Sequence, residues 1–390
     1  MHRDATSVSA HDQAAGPRYG GLPRREFLRL CAAATALMGL PGRMTAQVAE
    51  AARSAPRPPV VWLHFQECTG CSASLLRASH PDLASFILDT ISLDYHETFM
   101  AAAGHQAEQA LAASLRANFG KYLLVVEGAI PTALNGACCK LGGRTAQATL
   151  ASAAEGAMAI LCVGTCASFG GIQAADPNPT GARGVSALIP DRPVINITGC
   201  PPHPHNFLAT ILHFLTFQRW PALDARRRPL FAHGRRIHEH CERRPHFDAG
   251  RFAQAYGDEG HSQGHCLYKL GCKGPATWAN CPVQRFNDAG VWPVSVGHPC
   301  VGCTEPDLMF KLGIADKVQI HEPTPFEAYA PAVAKEKGKG ADPLTTGLAG
   351  IGLGIGLGAG MMLARRLPQA PPAAPAGKPA EDDHETPESA

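Results

Sequence analysis

V-V-W-L-H-F-Q-E-C-T-G-C, Val60 to Cys71, opens with a β-rich run, Val60–Phe65, and ends in two cysteines. Four more short runs share its Val, Ile and Leu content: Ile91–Tyr95, Tyr122–Val126, Met158–Val163 and Val194–Ile197. Helical stretches at Ala101–Ala117, Gln147–Ala154 and Asn206–Phe217 lie between or after them. Strands that alternate with helices predict an α/β fold, a mainly parallel sheet covered by helices. Three of the strands lead into cysteine, at Cys68 and Cys71, at Cys166 in G-T-C, and at Cys200 in G-C-P-P. Ligands of open α/β sheets sit beyond the carboxyl ends of the strands. Cys68, Cys71, Cys166 and Cys200 are therefore expected to converge on one rim, where four thiolates suit a four-iron cluster.

A second cysteine-rich region follows, from H-E-H-C at His238–Cys241 through G-H-C-L-Y-K-L-G-C at Gly264–Cys272 and N-C-P at Asn280–Pro282 to G-H-P-C-V-G-C at Gly297–Cys303. Six of the fourteen cysteines fall here, among many Gly, Pro and His and few aliphatic residues. Something other than hydrophobic burial must hold this region together. His238, Cys241, Cys266 and Cys272 make one possible four, and Cys281, Cys300 and Cys303 an odd three. Three thiolates are awkward for structural zinc and suit a three-iron cluster, while zinc sites and disulfides stand as the other readings.

The chain of 390 residues has room for two domains with appendages. Its net charge of +2 and 17% charged residues give no sign of a nucleic-acid or strongly acidic partner. Residues 1–51 read as a twin-arginine export leader, with Arg24–Arg25, then Phe27 and Leu28, a weakly apolar stretch and small residues around Ala49–Ala51. Residues 326–342 form a Lys-rich linker. Residues 343–364 carry no charge and suffice to cross a bilayer as a helix, although seven of them are glycine. Arg365–Arg366 follow on the expected cytoplasmic side, and residues 365–390 are Pro, Ala and acid-rich, the composition of a disordered tail.

Taken together, E-C-T-G-C, V-E-G-A-I-P at Val126–Pro131, G-T-C-A-S-F-G-G at Gly164–Gly171, G-C-P-P-H-P, H-x-x-C and G-H-P-C-x-G-C-x-E-P at Gly297–Pro306 resemble the small subunit of nickel–iron hydrogenases. The resemblance spans roughly residues 58–325. It implies a flavodoxin-like domain over 58–220 and an irregular cluster domain over 221–325. It also implies a proximal [4Fe–4S] cluster on Cys68, Cys71, Cys166 and Cys200, and a medial [3Fe–4S] cluster on Cys281, Cys300 and Cys303, with Pro293 in place of a fourth ligand. The distal [4Fe–4S] cluster falls to His238, Cys241, Cys266 and Cys272. Such a subunit has no nickel of its own. It conducts electrons from hydrogen oxidation in a separate large subunit to a membrane cytochrome b or equivalent redox partner and to quinone, from the periplasmic side of the cell membrane.

Further expectations attach to single residues. Glu67 and Thr69 are candidates for a proton path, with structural hydrogen bonding as the equal alternative for Glu67. His203 and His205 read as packing residues, and His298 as packing with influence on the medial cluster. Cys31 belongs to the leader, and Cys138, Cys139 and Cys162 read as buried free thiols, Cys162 being near enough to Cys166 in sequence to approach its cluster. Gly70 and Gly171 stand where oxygen-tolerant family members carry extra cysteines, which predicts an oxygen-sensitive enzyme. Two rivals remain: an exported binding protein stabilised by disulfides or zinc, and a respiratory oxidoreductase subunit that shares only the first cluster site.

Overall fold

The computed structural model describes residues 24–78, 91–286 and 290–320. The linker, the uncharged segment at 343–364 and the tail lie outside the described residues, as does the start of the leader. Among the described residues no helix is long and apolar enough to cross a membrane.

Five strands form one parallel sheet: β1 (Pro59–His64), β2 (Ser92–His96), β3 (Leu123–Glu127), β4 (Ala159–Val163) and β5 (Val194–Ile197), in the order β2-β1-β3-β4-β5. The predicted strands lie within a residue of these positions. Side chains alternate between the faces of a strand, and a sheet covered on both faces is apolar on both. Accordingly Val60 and Trp62 enter one core with Leu123, Val125 and Leu161, and Val61 and Leu63 enter the other with Leu124, Val126 and Ile160.

The covering helices have identifiable starts. Helix α4 (His105–Ala117) is tied to the β2 edge by Asp94, which accepts from Ser114 Oγ at 2.8 Å and Asn118 Nδ2 at 2.9 Å. Helix α5 (Ala146–Glu155) is capped by Thr145, whose hydroxyl accepts from the N–H of Ala148. Helix α7 (Pro204–Phe217) has proline in its first turn and the His203 ring as cap. Two shorter helices, α3 (Gly70–Leu76) and α6 (Thr165–Phe169), begin within the cysteine loops after β1 and β4.

Residues 24–54 depart from the expectation of a leader held apart from the fold. They form α1 (Arg24–Leu37) and α2 (Thr45–Ser54). Phe27, Leu30, Cys31, Ala34 and Met38 recur at helical spacing, and this stripe packs with Val48 and Ala49 against Phe207, Leu208 and Ile211 of α7. Arg24 and Arg25 stay exposed at the start of α1.

Beyond α7 the chain has little regular structure, as predicted. Turns and short helices at Leu230–His233, Arg244–Asp248 and Glu259–Ser262 surround a small core of Ile237, Ala253, Leu267, Leu270, Trp292 and Val294. Cys300 is part of that core, and Cys241, Cys272 and Cys281 pack against it. Glu305 fixes this region to the sheet side. Its buried carboxylate takes Arg228 Nη1 at 2.8 Å, Arg226 Nη1 and the N–H of Trp278 at 2.8 Å.

Candidate metal-cluster sites

The first set forms at the carboxyl ends of the strands. After β1, Thr69 takes a left-handed conformation that turns the chain between Cys68 and Cys71. After β4, Gly164 (φ +93°) admits the first set: a Cβ there would lie 2.5 Å from Cys71 Sγ. After β5, Gly199 leads to Cys200. The Cys71 thiol is pushed well above its usual range by burial, then by Glu127, then by the thiols of Cys166, Cys200 and Cys68. Cys166 is pushed up to about 11 by burial and then by Cys200 and Cys68. Cys200 also reaches about 11, through burial and then Cys303 and Cys68. Three of these thiols, Cys71, Cys166 and Cys200, thus resist ionisation in each other's company, and a cationic metal centre held among them would supply the opposite charge.

Glu127, at the end of β3, orients the first turn of α3. It accepts from the N–H of Cys71 at 3.0 Å, from the N–H of Ser72 and from Ser72 Oγ at 2.6 Å, and Ser72 Oγ in turn meets His96 Nε2 at 3.2 Å. Glu67 accepts from Thr69 Oγ1 at 3.1 Å and meets His64 Nδ1 at 3.4 Å, while its Oε2 is buried without a hydrogen bond. Nearby Glu97 is raised to about 7, chiefly by burial, and accepts from the N–H of His64. Sequence reasoning passed over Glu97 and the role of Glu127, although Glu127 stands in the V-E-G-A-I-P motif.

The remaining ligand candidates form two further sets. Cys241 is pushed up to about 12, by burial and then by Cys272 and Cys266, against the pull of the Arg243 N–H. Cys266 reaches about 11, with Cys272 again a contributor after burial. The backbone of His238 and the sulfur of Cys272 both line the space that a Cβ on Gly274 would enter. Burial, then Arg244, lowers the His238 imidazole to about 4, and its Nε2 is buried with no hydrogen-bond partner. A neutral ring with an orphaned nitrogen is what a metal ligand requires. In the other set, Cys281 reaches about 12 through burial and Cys303, and Cys300 goes well above its usual range through burial, Cys272, Cys303 and Cys281.

All fourteen cysteines are free, and no three of their sulfurs lie within 4.8 Å of one another. A tetrahedral zinc ion with Zn–S bonds of about 2.3 Å would draw its sulfurs to about 4 Å apart. Wider sets suit a cluster. Among the described residues the group tight enough for a single ion is His64, Glu67 and Glu127, in which Glu67 Oε1 and both Glu127 oxygens already serve the hydrogen bonds above.

The three sets are joined by hydrogen bonds. Thr165 Oγ1 donates to the Cys303 carbonyl while accepting from the N–H of Gly199 at 3.1 Å. The N–H of Lys273, next to Cys272, donates to the Cys300 carbonyl at 2.7 Å. In space, the set that comes last in the sequence therefore stands between the other two.

Two family descriptions match the chain: "NADH ubiquinone oxidoreductase, 20 Kd subunit" over residues 68–214, and the C-terminal part of the "NiFe/NiFeSe hydrogenase small subunit" over 233–314. The chain is 49% identical to the Hydrogenase-2 small chain of Escherichia coli K12 over 355 residues, 90% of this chain and 93% of the relative. It belongs to the nickel–iron hydrogenase small-subunit family. The quinone-reactive Ni/Fe-hydrogenase small chain of Wolinella succinogenes is 46% identical over 83% of this chain and 89% of its own length. The crystal structure of the reduced, active Ni-Fe-Se hydrogenase from Desulfomicrobium baculatum matches with a TM-score of 0.61 and 36% identity, over 65% of this chain and 96% of that one.

Hydrogenase small subunits carry iron–sulfur clusters and pair with a large subunit. The rival respiratory subunit accounts for the first match and leaves the second, over 233–314, unexplained. Of the other cysteines, Cys162 is fully buried in β4 and pushed up by burial, with no other thiol acting on it. It is a packing residue, as is Cys31 beneath α2. Cys139 is partly buried, and Cys138 is exposed, contrary to expectation, because it lies in the surface turn before the short hairpin Lys140–Leu141 and Arg144–Thr145. His203 and His205 are structural: His203 Nε2 meets the Arg285 carbonyl at 2.8 Å, and His205 Nδ1 accepts from Gln284 at 2.9 Å.

Proposed function

We propose that this chain is the electron-transfer small subunit of a membrane-bound, periplasm-facing nickel–iron hydrogenase. Cys68, Cys71, Cys166 and Cys200 would hold a proximal [4Fe–4S] cluster. Cys281, Cys300 and Cys303 would hold a medial [3Fe–4S] cluster, Pro293 standing in place of a fourth ligand. His238, Cys241, Cys266 and Cys272 would hold a distal [4Fe–4S] cluster. The clusters supply one-electron redox chemistry. The protein's part is to hold the ligand sets in line, shield them from water and set their charge. Residues 58–220 form the proximal-cluster domain and 221–325 the domain of the other two.

The observation that carries this reading is the pair of hydrogen-bonded links from Thr165, beside Cys166, to the Cys303 carbonyl and from Lys273, beside Cys272, to the Cys300 carbonyl, which make one connected series of the three sets. The proximal end would face the large subunit that splits hydrogen. The distal end, with its neutral histidine ligand, would face a membrane cytochrome b or equivalent and so quinone, in keeping with the name of the Wolinella relative. Twin-arginine export with the exposed Arg24–Arg25 pair, and anchoring through residues 343–364, complete the proposal. Glu67 and Thr69, with partly buried Glu97 close by, are the candidate proton-handling groups.

The test is metal analysis and electron paramagnetic resonance of the protein purified anaerobically from membranes with its partner. The expected result is about eleven irons, no stoichiometric zinc and a three-iron signal that vanishes under hydrogen. Zinc or disulfides without iron would overturn it in favour of an exported binding protein, a reading that the wide sulfur spacing already disfavours.

A further inference from the structure

Lys273 is a charged residue with no exposed surface at all. It follows Cys272 directly, and its own N–H donates to the carbonyl of Cys300, so its side chain leaves the backbone where two ligand sets meet. The ammonium group ends in a cage of backbone carbonyls: Gly313 at 2.9 Å, Ile314 at 3.1 Å, Asp316 at 3.3 Å and Gly271 at 3.4 Å. Carbonyls only accept, so the cage is complementary to the protonated, three-donor form. The Asp316 carboxylate is not part of this cage; its Oδ2 accepts from the N–H of Gly313. A buried cation whose direct contacts are all dipoles is costly unless negative charge lies nearby. Burial works against the charge, and the groups that favour it are that carboxylate, acting from outside the cage, and then the sulfurs of Cys300 and Cys272, which are negative once they ligate a cluster.

We propose that Lys273 is a positioning residue for electron transfer: a fixed positive charge between the medial and distal ligand sets that holds the potentials of both clusters up. The inference rests on the cluster assignment above. A cation beside an iron–sulfur centre stabilises its reduced, more negative form, and the low dielectric of a buried site strengthens the effect. The carbonyl cage keeps the charge in place and pins the 313–316 loop over it.

The experiment is a redox titration of the intact hydrogenase followed by electron paramagnetic resonance, with wild type compared with Lys273→Met. Wild-type iron content and signals are read first, so that failure of the cluster assignment is seen on its own. The expected result for Lys273→Met at full iron content is a shift of the medial and distal midpoint potentials to more negative values, with the proximal potential moving least. Full iron content with unmoved medial and distal potentials would overturn the proposal. Two further variants decide the case where Lys273→Met loses iron. Lys273→Gln keeps a donor for the carbonyls without the charge, and Lys273→Arg keeps the charge. A negative shift in Lys273→Gln, or cluster loss in both neutral variants with retention in Lys273→Arg, supports the charge. Unmoved potentials in Lys273→Gln, or loss of both clusters in all three variants, reduces Lys273 to packing and overturns it.

Discussion

The Thr165 hydroxyl donates to the carbonyl of Cys303, a residue 138 positions away, and accepts from the N–H of Gly199. One side chain thus joins the loop of Cys166, the loop of Cys200 and the end of the last ligand set. Thr165→Val preserves the shape and leaves two buried backbone groups without a partner. The expected loss of stability is about 1–3 kcal/mol, read by denaturant unfolding of the iron-loaded protein. A weaker magnetic interaction between the proximal and medial clusters should accompany it. Unchanged stability would mean that the contact is incidental.

Glu305 sits under two arginines, with its side chain and that of Arg228 almost wholly buried. Glu305→Ala leaves buried Arg228 with Asp224, 2.8 Å from its Nε, as the remaining carboxylate and should cost about 3 kcal/mol, the low end of what removing one partner of a buried ion pair costs. Glu305→Gln, which retains an acceptor for the N–H of Trp278, should cost less. The order of the two melting temperatures checks this.

Gly171 has φ +56°, and a Cβ at that position would come 2.5 Å from Cys166 Sγ. Gly171→Ala therefore has to displace a proximal ligand as well as strain the backbone. Iron content is expected to fall from about eleven to about seven, with the medial three-iron signal retained. A fully loaded Gly171→Ala protein would contradict the ligand assignment of Cys166.

Acid should destabilise the fold through its buried imidazoles. Burial, then Arg228, lowers His233 to about 4, and burial, then His64, lowers His96 to about 3. In the unfolded chain both titrate near 6.5. Because their folded values are depressed, the stability they contribute is present in full above about 6.5 and is lost as the pH falls through 4 and 3. His233→Asn, whose amide can still donate to the Trp278 carbonyl, should flatten part of that slope in unfolding measured against pH. An unchanged slope would show that His233 is not one of the groups responsible.

The sheet was legible because its inner strands are largely apolar runs such as Leu123–Val126, buried on both faces, while the edge strand Ser92–His96, with Asp94 and a partly exposed start, is the weaker signal. The eleven ligand candidates were legible through cysteine and histidine spacing and through family motifs. What the sequence hid is long-range. Nothing local in L-G-C-K-G-P says that Lys273 reaches carbonyls 40 to 43 positions on. Glu127 looks like any strand-terminal acid until α3, 55 and 56 residues earlier, turns its amides toward it. The leader stripe from Phe27 to Met38 has the spacing of a buried helix face, yet its composition alone is that of an export signal.

The set that lies between the other two is also the last to be synthesised. Until Cys281, Cys300 and Cys303 have emerged and folded back onto Thr165 and Lys273, the two outer sets have no protein connection of this kind. Contacts of such sequence separation form late, because loop closure must be met before they contribute. A chain interrupted anywhere short of Cys303 would then be an open circuit, able to gather iron at one end and yet unable to pass a charge along its length.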